Sequence, residues 1–256
     1  MVSIKKRGLT AIIPARNEEK NIKRCLESLS FCDKIIVMWM GDDDTGKIAA
    51  GLGAQVVKQE VAKKDDFKKV QKNINWAINS SETEWILRVD ADEVVTNELR
   101  IEIQEILKME SQGFVAYGIP RKQYFWGGFL MGGDWAYDRL VRLFKKGRAL
   151  YDPIVSVHEQ FKVNGKIGYL KNSLLHYSHP TLSVAVDKFN VYTDEQIKTM
   201  KDSKLSAIFK MFTQPTYIFL RWMIWHHGYR DGLRGIVAGA FRAWYEFMLY
   251  AKYLEK

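Results

Sequence analysis

The sequence predicts an α/β fold with a mainly parallel central sheet, followed by C-terminal amphipathic helices. Short apolar strands alternate with amphipathic helices over roughly the first 110 residues, which is typical of this fold class. The alternation ends near residue 113, where an aromatic, glycine-rich stretch begins. The composition, 47% hydrophobic and 27% charged, is that of a globular protein.

Repeated strand–helix units account for the first part of the chain. The strands are predicted at Leu9–Ile13, Lys34–Trp39, Ala54–Lys58 and Trp85–Val89. The first helix is predicted from an Asn17 cap to about Leu29, and the second is a short helix that ends near Gly51. Two further helices are predicted over Phe67–Asn79 and from Thr96 onwards. Since parallel strands need crossover helices, both faces of the sheet are expected to be covered.

The pattern changes after residue 113. Strands are predicted at Gly113–Ile119, Val141–Phe144 and Phe161–Leu170, with a hairpin turn at Asn164-Gly165, and a helix at Thr181–Met200. The glycine-rich stretch from Tyr124 to Trp135 predicts a loop. We therefore expect one domain over residues 1–200, with halves at 1–110 and 111–200, and an appendage at 201–256.

The last part of the chain predicts a helical, membrane-surface appendage. Pro215 is expected to start a helix, Gly228 to break it, and a final helix to follow. In that final helix, arginines at 230, 234 and 242 share one side and bulky apolar residues share the other. Such a helix suits an anionic lipid headgroup layer. The alternative is a helical hairpin packed on the domain or on a second subunit, which allows a homodimer.

The bulk properties limit the possible partners. The net charge of +9 favours a polyanionic partner: a phosphate-bearing substrate, nucleic acid or anionic lipid. Nucleic acid is not expected, because no known module appears and the acidic segments Asp42–Asp44 and Asp90–Glu93 would repel a phosphate backbone. The two cysteines predict neither a disulfide nor a zinc site, and we expect a reducing compartment. No signal peptide or membrane-spanning helix is predicted.

Two carboxylates follow the fourth predicted strand in the segment Asp90-Ala91-Asp92. Ligands of open parallel sheets bind beyond the carboxyl ends of the strands. Mg²⁺ and Mn²⁺ prefer oxygen ligands and bridge to phosphates. The segment therefore predicts a site for Mg²⁺ or Mn²⁺ on a diphosphate. A dehydrogenase is excluded, because no G-x-G-x-x-G motif follows the first strand, and a sugar-phosphate nucleotidyltransferase would need a glycine-rich, basic phosphate loop there.

The chain resembles the family 2 (GT-A fold) inverting glycosyltransferases over nearly its whole length. The residues that carry this resemblance are Ile12 to Glu19, Ile35-Ile36-Val37, Gln71-Lys72-Asn73 and Val89 to Glu93. Further segments resemble a branch that includes lipopolysaccharide-core β-1,4-glucosyltransferases: Trp135 to Asp138, Arg142-Leu143-Phe144, Val157-His158-Glu159, His176-Tyr177 with Lys188 and Tyr192, and Gly228 to Gly232.

The resemblance implies donor-binding roles for particular residues. The nucleotide pocket would be lined by Pro14, Ala15, Arg16, Asn17 and Glu18, with Lys72 and Asn73 near the base or phosphates. Asp90 and Ala91 would lie near the sugar nucleotide, with Asp90 close to the metal and Asp92 bound to it. The family usually places an Asp at the end of the second strand to read the base; this chain has Trp39 there, and Asp42, Asp43 or Asp44 is the expected substitute. Arg88 is also unexpected.

The resemblance further implies one carboxylate base, because an inverting transferase forms no covalent intermediate. The candidates are Glu159, which we favour narrowly, and Asp138, whose alternative role is an ion pair with Arg139 or Arg142. His158 is expected to be a metal ligand. His176 is expected to contact the diphosphate or the metal. Trp126 and Trp135 are candidate acceptor contacts, since Trp rings stack on sugars; the alternative is an aromatic core cluster.

The expected reaction is transfer of a hexose from a nucleoside diphosphate sugar to a glycan hydroxyl, with inversion. The tail favours a lipid-linked acceptor, such as lipopolysaccharide or another cell-surface glycan. We therefore expect a cytoplasmic enzyme, peripheral on the inner face of the cell membrane. The alternatives are a protein or peptide acceptor, or a non-catalytic glycan-binding protein whose donor site has decayed.

Overall fold

A computed structural model describes residues 8–60, 67–109, 113–151 and 161–256, which form two compact units. The first unit extends to Arg121 and includes Arg139–His176. The second unit comprises Lys122–Asp138 and Tyr177–Lys256, so residues 177–200 group with the terminal helices. Glu159 and His158 lie outside the described residues.

The main sheet begins with four parallel strands. They are β1 (Leu9–Ala15), β2 (Lys34–Trp39), β3 (Gln55–Lys58) and β4 (Trp85–Arg88). The further strands are β5 (Glu93–Val95), β6 (Phe114–Phe125), β7 (Gly128–Phe129), β8 (Arg139–Lys145), β11 (Lys166–Tyr169) and β12 (Leu174–His179). The order is β3-β2-β1-β4-β8-β6-β12-β5, with β7 and β11 also on β6. The predicted α/β fold with a mainly parallel sheet is confirmed.

Helices cover both faces of the parallel strands, as expected. Helices α1 (Ile22–Ser28), α2 (Thr45–Gly51) and α4 (Asn97–Lys108) contribute residues to one core, and α3 (Phe67–Ser80) contributes to the other. Along β2, Val37 belongs to the first core and Met38 to the second. Strands buried on both faces are apolar throughout, which is why the sequence pattern located them.

Three local predictions were wrong. Helix α1 has Asn21 as its N-cap, because Asn17 adopts a left-handed φ of 53°. The strands around Asn164-Gly165 do not form a hairpin: β10 (Lys162–Val163) pairs with β9 (Ala149–Leu150), whereas β11 pairs with β6. Pro215 does not start a helix but lies inside one.

The second unit is built on helices. They are α5 (Leu182–Gln196), α6 (Lys204–Leu220) and α7 (Gly232–Glu255), with a π-helical turn at Arg221–Trp225 and a 3₁₀ turn at Gly228–Asp231. Trp222 is fully buried in the core of this unit, and its Nε1 donates to the Gly235 carbonyl at 3.0 Å. Close packing here uses Gly239, since a Cβ at that position would lie 2.7 Å from the Trp222 ring. Within the described part of the chain, no helix is long and apolar enough to cross a membrane.

Candidate active site

The carboxyl ends of β1 and β4 define the candidate site. The chain runs from β1 outward through β2 to β3, and then returns to β4 on the other side of β1. Ligands of open α/β sheets bind where the strand order reverses in this way. Ala15 ends β1, and Asp90-Ala91-Asp92 follows β4 at this point.

The Asp90 carboxylate is held by two arginines. Arg88 Nη2 lies 2.6 Å from its Oδ1, and Arg142 Nη2 lies 2.6 Å from its Oδ2. Arg142, on β8, is 1% exposed, so this pair lies in a poorly solvated environment. Charge-assisted hydrogen bonds of this kind fix the orientation of a carboxylate. Asp90 is thus a well-ordered anchor of the loop.

Glu93 completes this network beneath the loop. Its side chain is fully buried, and it accepts from the Asp90 backbone N–H at 2.8 Å and from Arg142 at 3.1 Å. Arg121 lies 3.4 Å from the same carboxylate. Burial, together with the negative charge of Asp90, raises the pKa of Glu93 to about 7, although the surrounding cationic groups oppose this.

Asp92 and His176 face each other across the loop. His176 Nε2 lies 3.4 Å from Asp92 Oδ1, and both side chains are largely buried. Strand β12 pairs with β5 in a register that puts His176 opposite Glu93. The sequence named His176 only as a possible diphosphate or metal contact, because β12 and β5 were not predicted. His176 Nδ1 is buried and has no hydrogen-bond partner.

This donor set is compatible with a divalent cation that also binds phosphate. Among the residues with described positions, no three His, Cys, Asp or Glu side chains converge as in a fully protein-ligated site. Mg²⁺ is commonly held by only one or two carboxylates plus substrate phosphates and water. Asp92 supplies one such carboxylate, and the imidazole of His176 lies 3.4 Å from it.

The loop after β1 is tied to the loop after β2. The Asn17 Oδ1 accepts from the Asp42 backbone N–H at 3.0 Å, and the Glu18 backbone N–H donates to Thr45 Oγ1 at 2.8 Å. The Nε of Arg16 is buried without a hydrogen-bond partner. The predicted donor residues Pro14 to Glu18 and Asp42 are therefore brought together in one place.

Trp39 and Lys58 occupy the ends of β2 and β3. The Lys58 ammonium lies 3.2 Å from the centroid of a Trp39 ring and donates to the Gly41 carbonyl at 2.8 Å. The ring packs on Gly46, where a Cβ would lie 2.3 Å from it. Trp39 Nε1 is buried. Burial opposes the ionisation of Asp43, but hydrogen bonds from Thr45, Glu19 and the Trp39 side chain outweigh it and lower the pKa of Asp43. This end of β2 therefore presents an indole donor and a cation.

Helix α3 carries the other predicted donor residues. Lys72 is exposed, and the Asn73 Nδ2 is buried without a hydrogen-bond partner. Asn75, which sequence reasoning missed, bonds both the N–H and the carbonyl of Tyr151, at 2.9 and 2.8 Å. It thus anchors the chain immediately before the segment that contains Glu159.

In the second unit the two acceptor candidates differ. The Trp135 ring stacks on His179 with centroids 5.2 Å apart and meets Trp222 edge-on at 5.1 Å. It is therefore part of an aromatic core, the alternative that the sequence left open. Trp126 is 39% exposed, with a φ of 42°. Asp138 follows the 3₁₀ turn Asp134–Tyr137.

Residues 10–177 match the family model for glycosyl transferase family 2. The chain belongs to this family. A lipopolysaccharide core biosynthesis glycosyltransferase, LpsC, of Rhizobium meliloti is 26% identical, covering 99% of this chain and 94% of that protein. An uncharacterized glycosyltransferase of Rickettsia typhi is 27% identical, covering 96% and 87%.

Solved structures agree on the fold of this family 2 glycosyltransferase. Residues 1–349 of S. aureus TarS match with a TM-score of 0.51 at 14% identity, covering 97% of this chain and 90% of that one. In a longer TarS structure, the match covers 88% of this chain but only 46% of the TarS chain. The resemblance inferred from the sequence motifs is confirmed, and the chain is a glycosyltransferase.

Proposed function

We propose that this glycosyltransferase transfers a hexose from a nucleoside diphosphate sugar to a glycan hydroxyl, with inversion at the anomeric carbon. The observation that carries the proposal is the set of loops after β1 and β4, which combines ion-paired carboxylates with buried, unpartnered polar atoms. Such atoms are costly to leave unsatisfied, so a polar ligand that bonds them is favoured. The donor is proposed to lie along Pro14–Asn17, near Lys72 and Asn73.

A divalent cation, Mn²⁺ or Mg²⁺, would be held by Asp92 and His176. It would supply charge neutralisation on the departing nucleoside diphosphate. Asp90 has a different proposed role, because both of its oxygens already accept from arginines. It would hold the loop so that Asp92 keeps its orientation. His158 stays a predicted metal ligand.

The base is proposed to be Glu159 or Asp138, and both alternatives stay open. The base would accept the proton of the acceptor hydroxyl as the hydroxyl attacks the anomeric carbon. An Ala variant of the active base should lose turnover, and with it the pH dependence of turnover, while keeping its affinity for the donor. A residue with only an ion-pair role would change both quantities little.

The acceptor is proposed to be a lipid-linked glycan at the cytoplasmic face of the membrane. The R. meliloti relative is named for lipopolysaccharide core biosynthesis, which supports this choice. Helix α6 also exposes a line of large apolar side chains, with Leu205 82%, Phe209 69% and Phe212 64% exposed. Contiguous exposed apolar patches mark interaction sites. Lys204 precedes this line, and cations favour an anionic lipid surface.

Donor binding is the test of the catalytic proposal. Calorimetric titration with UDP-, GDP-, dTDP- and CMP-sugars, with and without Mn²⁺, is expected to give metal-dependent binding of one nucleotide class. Asp92→Asn should abolish the metal dependence, whereas Asp194→Asn, at an exposed pair with Lys252, should not. Absence of binding by every sugar nucleotide to folded protein would favour the other candidate, a decayed donor site, which Trp39 at the end of β2 supports.

Vesicle flotation tests the membrane proposal. The wild-type chain should float with phosphatidylglycerol-containing vesicles and much less with purely phosphatidylcholine vesicles. Phe209→Ser with Phe212→Ser should weaken binding at least tenfold, at roughly 1.5–3 kcal/mol per buried apolar side chain. Ile101→Ser, on α4 and 52% exposed, is the matched control. Equal flotation of all three proteins would contradict the proposal. If the wild type instead forms a concentration-dependent dimer that the Phe double variant does not form, a second copy of the chain covers this face.

A further inference from the structure

The second unit contains a cavity of about 410 Å³ that the proposed donor site does not use. It is lined by Tyr137, Tyr217, Arg221, Trp225 and His226. Its size lies within the usual range of roughly 300–1,000 Å³ for small-molecule sites. Every one of these residues belongs to the second unit.

The walls of the cavity are aromatic and unusually open to solvent. Tyr137 is 56% exposed, Tyr217 is 52% exposed and Trp225 is 66% exposed. The Tyr137 and His226 rings meet edge-on, with centroids 4.8 Å apart. Large aromatic rings that combine an apolar face with a polar tip favour ligands of the same mixed character.

The Asp134 carboxylate lies against two of the lining residues, Arg221 and His226. Its Oδ2 accepts a hydrogen bond from Arg221, and His226 Nε2 lies 3.5 Å from its Oδ1. That Oδ1 is buried and accepts no hydrogen bond, and the Arg221 Nε is buried without an acceptor. One lining residue, Arg221, therefore has an unused donor, and the carboxylate behind it has an unused acceptor. A hydroxyl group can satisfy both kinds of atom, because it donates one hydrogen bond and accepts two.

The two segments that form the cavity are locked together. The Gly133 N–H donates to the His226 carbonyl at 2.8 Å. The Asp231 carboxylate accepts from the N–H groups of Met131 and Gly132, each at 2.9 Å. Gly133 has a φ of 80° and packs against Trp222, so a side chain is not accommodated there. A site held this rigidly loses little entropy when a ligand binds.

The charges of the cavity are balanced. The Asp134 carboxylate offsets the Arg221 guanidinium, so an anion gains little here, while the unused donor and acceptor still need partners. We propose that this cavity is an acceptor subsite that binds a neutral pyranose ring. One face of the ring would stack on Tyr137 or Trp225, and its hydroxyls would bond Arg221 and His226, which line the cavity. The proposal rests on the glycan acceptor proposed above, and it assigns acceptor recognition to these residues rather than to Trp126 and Trp135.

Saturation-transfer NMR of the full chain tests this subsite without any turnover. The probes are the methyl glycosides of glucose, galactose, mannose and N-acetylglucosamine, with inorganic phosphate followed in parallel by ³¹P line broadening. We expect at least one glycoside to receive saturation at its ring C–H protons, and phosphate to bind at least tenfold more weakly. Tyr137→Ala is expected to weaken the glycoside about tenfold, as for a truncated aromatic contact. Trp76→Ala, at an exposed Trp of α3, is the control.

The outcomes separate this proposal from the others. Asp134→Asn serves as a second variant, because it removes the charge that holds Arg221 and His226 while leaving the exposed apolar surface intact. It should also weaken the binding of the glycoside. Glycoside binding that survives in both variants would overturn the proposal, as would phosphate binding more tightly than every glycoside. Glycoside binding lost in the variants, in a protein that binds no sugar nucleotide, would support this subsite and contradict only the catalytic proposal.

Discussion

Replacing Arg142 with Met should strongly destabilise the protein. Arg142 is 1% exposed, and it bonds Asp90 at 2.6 Å and Glu93 at 3.1 Å. The substitution leaves a fully buried Glu93 with one fewer cationic partner. Removing one member of a buried ion pair typically costs about 3–5 kcal/mol. For a domain of this size, such a loss corresponds to a decrease in Tm of about 6–20 °C.

The pH dependence of this loss identifies its cause. The folded-state pKa of Glu93, about 7, is above its ordinary value of 4.5, so the folded state binds the proton more tightly. Its contribution to stability is therefore full below about pH 4.5 and decreases as the pH rises through 7. Without Arg142, the ionised form is less well compensated. The difference in stability between variant and wild type should thus be larger at about pH 8.5 than at about pH 5.5.

Thermal denaturation followed by circular dichroism measures both effects, with EDTA present so that no bound cation contributes. Lys145→Met is the matched control, because Lys145 lies on the same strand in a partly exposed pair with Glu84. Exposed pairs contribute about 0–1 kcal/mol. A Tm decrease for Arg142→Met no greater than that of the control, or one that is independent of pH, would refute the role of the buried network.

Three further predictions follow from packing and burial. Trp222→Ala should cost about 3–5 kcal/mol of unfolding free energy, measured by urea denaturation, because the ring is fully buried; a loss under about 1 kcal/mol would contradict its central place in the core. Gly46→Ala should lower Tm, since its Cβ would lie 2.3 Å from the Trp39 ring; an unchanged Tm would mean that the ring moves freely. Burial raises the pKa of the Cys25 thiol well above its ordinary value, so a thiol reagent should modify Cys32 first and Cys25 only after unfolding; equal rates would rule this out.

The sequence located the parallel strands well, because their signal is local. Strand β2 has the predicted bounds Lys34–Trp39, since a continuous apolar run is buried on both faces. Strand β12 was missed, because His176, Tyr177 and Ser178 interrupt the apolar pattern. Its pairing with β5 depends on residues roughly 80 positions away, and no local pattern encodes such a register.

The candidate site was predicted in outline but not in its electrostatics. Asp90 and Asp92 follow β4 as expected. The ion pair between Asp90 and Arg142 joins residues 52 positions apart, so sequence spacing gave no sign of it. The glycine-rich stretch around Trp135 resembled an open loop, yet the ring packs against His179 and Trp222. Glycine allows the backbone to pack closely against neighbouring groups, and in this stretch that close packing belongs to the core.

The π-helical turn after α6 explains how one apolar segment serves both the core and the proposed acceptor cavity. Residues three apart share a face of an α-helix, yet Trp222 is fully buried and Trp225 is 66% exposed. In the turn, the His226 N–H donates to the carbonyl of Arg221, five residues earlier, at 3.0 Å. This wider spacing rotates the two indoles onto different faces, and such insertions are frequent at functional sites. A regular helix would direct both rings to the same side, and the cavity would lose either its wall or the core behind it.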